Sequence, residues 1–333
     1  MKKLLFFAVL ASLALSACVN DAPLSGDAKN AKKASLTLVT AENADLKHEN
    51  LRLYPVTASA EVIQEHASLQ HLKTLAEGMK LPGFRVMEQK QFGRSEGPWY
   101  NGLTVQNKTQ DTILLLFGDI VKGGNQDRVI AHHEVILPMT VRNVEVFCVE
   151  AGRSTYYDPA ASPAEKEAAA FKGYYNVASP QVRRAVQTSG NQQEVWNAVA
   201  SVTKANHAES STKAYTALDN ESQEKTRRDA YLSHLGTKFS TQSDVVGVVA
   251  VCGNRVLGVD IFGSPDLFKR HYPALLHGYV AEAATSEASI ALSNEQVQQA
   301  FDSVAKMAAP HAKSSESAGK FAWDGSWVHL FGK

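Results

Sequence analysis

Apolar and polar positions repeat with two periods along this chain, and the change of period divides it. Up to about residue 149 the period is mostly two, as in half-buried strands. Residues 51–56 (Leu-Arg-Leu-Tyr-Pro-Val) read as a first strand. Residues 61–80 interrupt the pattern: Val62, Ile63, Leu69, Leu72, Leu75 and Met79 stand near helical spacing, Ser59 is placed to cap them, and Pro82-Gly83 stops them. Alternation resumes over 84–92 and 103–107, and 107–111 reads as a turn. Residues 112–117 are a continuous apolar run, expected as a buried strand, and 118–127 a glycine- and polar-rich loop. Residues 128–137 and 141–149 supply further strands around Pro138. Such short connections favour antiparallel pairing, because parallel pairs need long crossovers.

From Pro163 the period lengthens. Residues 164–171, 180–188, 192–205 and 221–235 are expected as helices, with Asn191 capping the third and Val195, Trp196, Val199 and Val202 forming its apolar face. Residues 244–252 and 255–262 are apolar, β-branched runs joined by Gly253-Asn254, a favoured hairpin turn. Helices return at 267–284, with a break expected near Pro273, and at 294–307 behind Ser293. Residues 320–331 alternate again and are expected to close a sheet. The pattern predicts an α+β fold: an antiparallel, strand-rich N-terminal half packed with a helical segment and a further strand hairpin, in one body over 45–333.

The first eighteen residues follow neither pattern. Met1-Lys2-Lys3 is a basic head, residues 4–13 are almost unbroken apolar, and Leu15-Ser16-Ala17-Cys18 places small residues directly before a cysteine. This is the layout of a signal peptide over 1–17 in the form that bacterial lipoprotein processing reads, with Cys18 acylated after cleavage. Two or more acyl chains give stable anchoring, so the membrane is the expected partner through this anchor. Val19 follows the cysteine where an aspartate would favour retention in the inner membrane; the expected location is the outer membrane, facing the periplasm. Residues 18–44 are poor in large apolar residues and are expected as the lipidated cysteine and a flexible tether. No later run is long enough to span a bilayer.

Composition narrows function mainly by exclusion. Lys plus Arg and Asp plus Glu are both 34, and no basic run or arginine-rich face stands out. Nucleic-acid binding, which rests on phosphate neutralisation, is disfavoured. Cys148 and Cys252, the thiols besides Cys18, sit in apolar runs and read first as buried small hydrophobes; an oxidising envelope leaves a disulfide between them open. Their spacing forms no zinc motif, and no motif calls for a metal or cofactor. His132 and Glu134 share a face of the expected strand, but the Pro-Cys-x-x-Cys of zinc deaminases is absent. There is no Gly-x-Ser-x-Gly elbow, and no residue is assigned a catalytic role.

One constellation is distinctive. Gly118-Asp119-Ile120-Val121-Lys122-Gly123-Gly124-Asn125-Gln126-Asp127-Arg128 is followed by Phe147-Cys148-Val149-Glu150-Ala151-Gly152-Arg153. Then come Asn191-Gln192-Gln193-Glu194-Val195-Trp196, Ser210-Ser211-Thr212 and Gly258-Val259-Asp260-Ile261-Phe262. In this order, from about residue 75 to the C-terminus, the chain resembles the bacterial family named for its association with ADP-ribosylglycohydrolases and rhodanese-phosphatases. Ser154 stands where that family often has an aromatic residue. The resemblance implies at most a link to NAD-derived or ADP-ribosylated molecules, since the family name records an association.

The candidate ligand-binding residues are Asn125, Gln126, Asp127, Arg128, Glu150, Arg153 and Asp260. Paired glycines let the backbone of the 122–128 loop approach a ligand, and the loop's amides, carboxylate and guanidinium suit a sugar, ribose or phosphate. The same groups can instead bond the loop's own backbone. Glu150 and Arg153 are spaced to pair. Asp260 lies in an apolar strand and needs a partner, because an unpaired buried charge costs several kcal/mol. Three functions are therefore carried forward. The first is a membrane-anchored lipoprotein that binds a small molecule or a protein without catalysis. The second is an enzyme acting on an ADP-ribose-like or other phosphorylated ligand, which requires these residues to converge on one cleft. The third is a structural envelope component, which predicts no pocket and an exposed apolar patch instead.

Overall fold

The computed structural model describes residues 35–88, 101–153 and 171–333. The signal peptide, Cys18 and the first part of the tether lie outside these residues, as do the end of the 84–92 strand and most of the 164–171 helix. The largest sheet is antiparallel, in the order β1 (Leu36–Leu38), β3 (Leu51–Ala58), β13 (Val245–Cys252), β14 (Arg255–Phe262), β16 (Ser326–Gly332), β15 (Ala318–Trp323), with β2 (Lys47–His48) also on β3. A six-stranded antiparallel sheet runs β12 (Phe171–Val177), β8 (Asp119–Gly123), β9 (Arg128–Ile130), β11 (Thr140–Cys148), β6 (Gly102–Asn107), β5 (Phe84–Glu88). A small third sheet joins β10 (Glu134–Ile136), β7 (Ile113–Leu115) and β4 (Lys73–Thr74). Only its β4–β7 pair is parallel among the described pairs. The fold is α+β, as the patterning predicts.

Every residue of β13 is buried, because both faces of the central sheet are covered. Val248, Ala250 and Cys252 meet Leu51 and Leu53 of β3 and the apolar side of α6 (Pro265–Ala283). Val249 and Val251 point the other way, to Tyr54, Val56 and α7 (Asn294–Ala305). Burial of each such side chain stabilises by roughly 1.5–3 kcal/mol. A reciprocal capping box between Ser293 and Gln296 starts α7. The break expected at Pro273 does not occur, and α6 runs unbroken through it. A proline forfeits one helical hydrogen bond, but Leu267, Phe268 and Tyr272 before it and Leu275, Leu276 and Tyr279 after it are all buried and hold both halves on the sheet.

A third core joins the six-stranded sheet to helices α3 (Pro180–Ser189) and α4 (Gln192–Ala205). Ile120, Val129, Phe147 and Val149 pack there on Val182, Val186, Val195, Val199 and Val202. Trp196, expected on the apolar face of α4, is only half-buried and lies outside that cluster. The sheet's other face puts Val121, Ile130, Val144 and Val146 with Leu103, Val105, Ile113 and Leu115. Helix α5 (Gln223–Leu235) delivers Tyr231 and Leu235 to the core beneath α6.

Several expectations are corrected. Residues 61–80 are not one helix but α1 (Ala60–Glu65), a 3-10 turn Ala67–His71, β4, and α2 (Leu75–Gly78). The Lys73 N–H donates to the Thr112 carbonyl at 2.9 Å, and a Thr74–Glu77 capping box starts α2; the pairing with β7 overrides the helical spacing. The 118–127 loop begins as strand β8, because Ile120 and Val121 are buried on opposite faces. The 128–137 strand is two strands in different sheets, with His132 and His133 in the break. The tether's last part is folded, since Leu36–Leu38 pairs with β3. Strand β12 was not foreseen; its Phe171 and Gly173 pair with β8 through two bulges, which blur the alternation.

Candidate functional site

The 122–128 loop is the hairpin between β8 and β9. Gly124 has φ +59° and a Cβ there would meet the Phe171 ring at 2.5 Å, so both backbone and packing require glycine. The polar groups that follow turn inward. Asp127 Oδ1 accepts from the Gly123 N–H at 2.8 Å and Oδ2 from the Thr216 hydroxyl at 2.8 Å. The Asp127 N–H donates to Glu150 Oε2 at 3.1 Å, and Gln126 Nε2 to the Glu150 carbonyl at 2.9 Å. Arg153 closes the set, with Nη2 2.6 Å from Glu150 Oε2, Nη1 2.7 Å from the Gly124 carbonyl and Nη2 3.4 Å from Asp127. Arg128 reaches Glu88 at 3.4 Å and donates to Cys148 Sγ, while the Asn125 N–H donates to Glu88 at 2.7 Å.

Charge in this network is distributed unevenly. Burial raises Asp127, and the nearby Glu150 carboxylate adds to this against the hydrogen bonds it accepts. Burial also acts on Glu150, but hydrogen bonds from Arg153 and the Asp127 N–H outweigh it and hold the carboxyl below its usual range. The other segments of the constellation attach here. Gln192 spans the Cys148 backbone with two 2.8 Å bonds. The Gly152 N–H donates to the Thr212 carbonyl at 2.7 Å, and Glu150 bridges Ala214. Ser210 to Thr212 therefore form a turn against Gly152.

Asp260 belongs to a different group. It lies on β14, fully buried, and receives Arg183 of α3 in a two-pronged pair: Nη1 to Oδ2 at 3.0 Å and Nη2 to Oδ1 at 2.6 Å. Tyr279 of α6 also donates to Oδ2. His329 Nε2 of β16 is 3.0 Å from Oδ1 but poorly aligned for a hydrogen bond, and its Nδ1 is 2.8 Å from His133 Nε2. Burial alone would raise Asp260; Arg183 and His329 reverse this and hold the carboxyl far below its usual range. Burial lowers both His133 and His329. Gly118, at φ +92°, admits Arg183: a Cβ there would lie 2.9 Å from Arg183 Cγ.

Arg183 also forms one wall of an open cleft of about 340 Å³. Helix α3 supplies Pro180, Arg183, Arg184, Gln187 and Thr188; β14 supplies Leu257 and Gly258; β16 supplies Phe331 and Gly332, with Lys333 after it and Glu316 and Ser317 before β15; Phe117 also lines it. The Phe117 and Phe331 rings are 5.6 Å apart, and the Arg183 guanidinium sits 5.5 Å over Phe117. The volume falls in the usual range for small-molecule sites, roughly 300–1,000 Å³. Asp260 pairs with Arg183, and the side chains of Arg184 and Lys333 stand with Glu316 among the lining residues. Such a wall suits a small ligand with a flat apolar part and an anionic group.

The sequence-named residues therefore separate. Asn125, Gln126, Asp127, Arg128, Glu150 and Arg153 come together; Asp260 takes its partners from another set. Arg183, Tyr279 and His329 were not foreseen. His329, a histidine inside the apolar run Trp327-Val328-His329-Leu330, was the available signal. His132 is exposed, 3.2 Å from Glu145. Among the described residues no group of three or more His, Cys, Asp or Glu is placed to hold a metal ion, and no helix is long and apolar enough to cross a membrane. Cys148 and Cys252 are buried and unbonded to each other. Burial pushes the Cys148 thiol up to about 11 and raises Cys252.

These features define an α+β body with an internally bonded polar hairpin, a buried arginine–aspartate pair and an adjoining cleft. Residues 42–331 match the ARG and Rhodanese-Phosphatase-superfamily-associated Protein domain, and the chain belongs to that family. The match extends further towards the N-terminus than residue 75, taking in β2, β3 and α1. Neither curated proteins nor solved structures provide a match.

Proposed function

We propose that this chain is a lipid-anchored envelope protein that binds a small anionic ligand without transforming it, and that the cleft beside Arg183 is the binding place. The expected setting is the outer membrane, facing the periplasm, with Cys18 as the lipidated residue. The observation that carries the binding part is the cleft itself: about 340 Å³, with Arg183 held in place by Asp260 and with Arg184 and Lys333 on its rim. The enzyme reading required the hairpin, Glu150–Arg153 and Asp260 to meet in one cleft. They form two groups, and their charges are paired within each. Among the described residues the cleft wall offers cations and Glu316 but no hydrogen-bonded acid and base.

The test is a thermal-shift screen of the detergent-solubilised full chain against inorganic phosphate, ADP-ribose, NAD, nucleotides, dicarboxylates and sugars. A ligand at about one hundred times its Kd stabilises by about 2.7 kcal/mol. The expected result is saturable stabilisation by an anionic compound that is lost in Arg184→Glu and kept in Asp127→Ala. Arg184 is exposed, so its variant is expected to fold. The reverse dependence would move the site to the hairpin, stabilisation by none of the compounds would sink the small-ligand reading, and turnover of a bound compound would overturn the non-catalytic one.

A further inference from the structure

Among the described residues the exposed large apolar side chains are Leu137, Met139 and Val141, at 41, 65 and 59 % exposure; Leu137 and Met139 lie in the turn between β10 and β11, and Val141 is the second residue of β11. Scattered apolar exposure is ordinary; its concentration at one tip is not. Met139 follows Pro138 with φ +56°. A turn with proline first and a positive φ second favours glycine or asparagine at the second position. A bulky methionine there opposes both the turn's own preference and the exclusion of apolar groups from water. An observed backbone outlier of this kind points towards function.

The tip is held firmly. The Thr140 hydroxyl donates to the Leu137 carbonyl at 2.7 Å. Buried Asn107 donates to the carbonyls of Asp111 at 2.7 Å, Ile136 at 3.3 Å and Leu137 at 3.1 Å, which fixes the neighbouring 107–111 turn beside it. Two exposed cations flank the apolar residues. Lys108 lies on that neighbouring turn, and Arg85 shares a face with Val141 through the register Val141, Gln106, Arg85. Neither is in an ion pair among the described residues, whereas the nearby Asp111 and Glu134 are matched by Lys73 at 3.8 Å and Arg142 at 3.9 Å.

We propose that the Leu137–Val141 tip, the turn together with the first residues of β11, enters the headgroup region of an anionic bilayer and makes a second membrane contact beside the lipid anchor. Apolar side chains at a tip bury shallowly at the interface, and adjacent lysine and arginine meet anionic lipid. The inference rests on the anchor reading. Alone, three side chains and two cations bind weakly. Between Cys18 and Ser35 the chain spans at most roughly 60 Å even when extended, so an acylated Cys18 keeps the tip at high local concentration near the surface.

The test uses the full acylated chain carrying Met139→Cys, or separately Val141→Cys, labelled with the environment-sensitive dye NBD. Cys148 and Cys252 are buried and Cys18 is acylated, so the parent chain serves as the labelling control. On phosphatidylcholine–phosphatidylglycerol vesicles the protein is expected to float and the dye emission to rise about twofold or more with a blue shift, reduced by Arg85→Glu with Lys108→Glu. Flotation with unchanged emission at both positions overturns the turn contact and leaves the anchor standing. Failure to float overturns the anchor and the second contact with it. Emission that rises with protein concentration in the absence of vesicles assigns the tip to a second copy, and emission that responds to envelope protein extract but not to lipid assigns it to a protein partner; either result overturns the proposal.

Discussion

Asp119, the first residue of β8, is a fully buried carboxyl group. Its Oδ2 accepts from the Leu116 N–H at 2.7 Å and its Oδ1 from the Tyr174 hydroxyl at 2.9 Å. Burial outweighs these bonds and the field of Arg183, and pushes its pKa up to about 7 from 3.8. Between these values the folded chain holds a proton that the unfolded chain has released. Stability from this group is therefore greatest below the unfolded value and is lost as pH rises towards about 7, a change of roughly 3–4 kcal/mol. Asp119→Asn is expected to remove that loss, so its melting temperature relative to the parent should climb between pH 4 and 7; a constant offset would refute the assignment. The sequence exposed little of this. It marked Asp260 as needing a partner, but Arg183 lies 77 positions away and nothing local names it. Asn125, Gln126, Asp127 and Arg128 were legible because they are contiguous, yet contiguity does not reveal that Glu150 and Arg153 complete their bonding.

Between elements, the Arg183–Asp260 pair ties α3 to β14. Removing one member of a buried pair leaves the other charge uncompensated and typically costs about 3–5 kcal/mol. Asp260→Ala is expected to destabilise by that amount in denaturant titration. Asp127→Ala should cost less, roughly 1–3 kcal/mol, because it removes hydrogen bonds at a hairpin and only a 3.4 Å contact with Arg153. Equal losses would refute the ranking. The elements themselves were readable where their determinants are local. Helix α4 begins and ends as its cap and periodicity predict, and the β13–β14 hairpin follows from Gly253-Asn254. Residues 61–80 misled because their apolar spacing is satisfied equally by two short helices, a 3-10 turn and a strand pair. The deciding partner, β7, lies some forty residues on, where periodicity within a window does not reach.

For the whole molecule, the anchor prediction is the most direct. Cys18→Ser is expected to abolish palmitate incorporation and leave the signal peptide uncut by lipoprotein processing; continued labelling and membrane fractionation of the variant would refute it. The central sheet carries a further consequence. Its strands come from both ends of the chain: β3, near residue 51, is hydrogen-bonded along its length to β13, near residue 245, and β14 waits for β16, which ends at Gly332. Contacts so distant in sequence must overcome a large loop-closure entropy before they reward the chain, and they slow folding. A ribosome that has released only the first two hundred residues has produced β3 without its central partner. The order of synthesis thus keeps the nascent polypeptide from completing its main sheet early, and a chain still open at that point is one that can be threaded through a narrow channel.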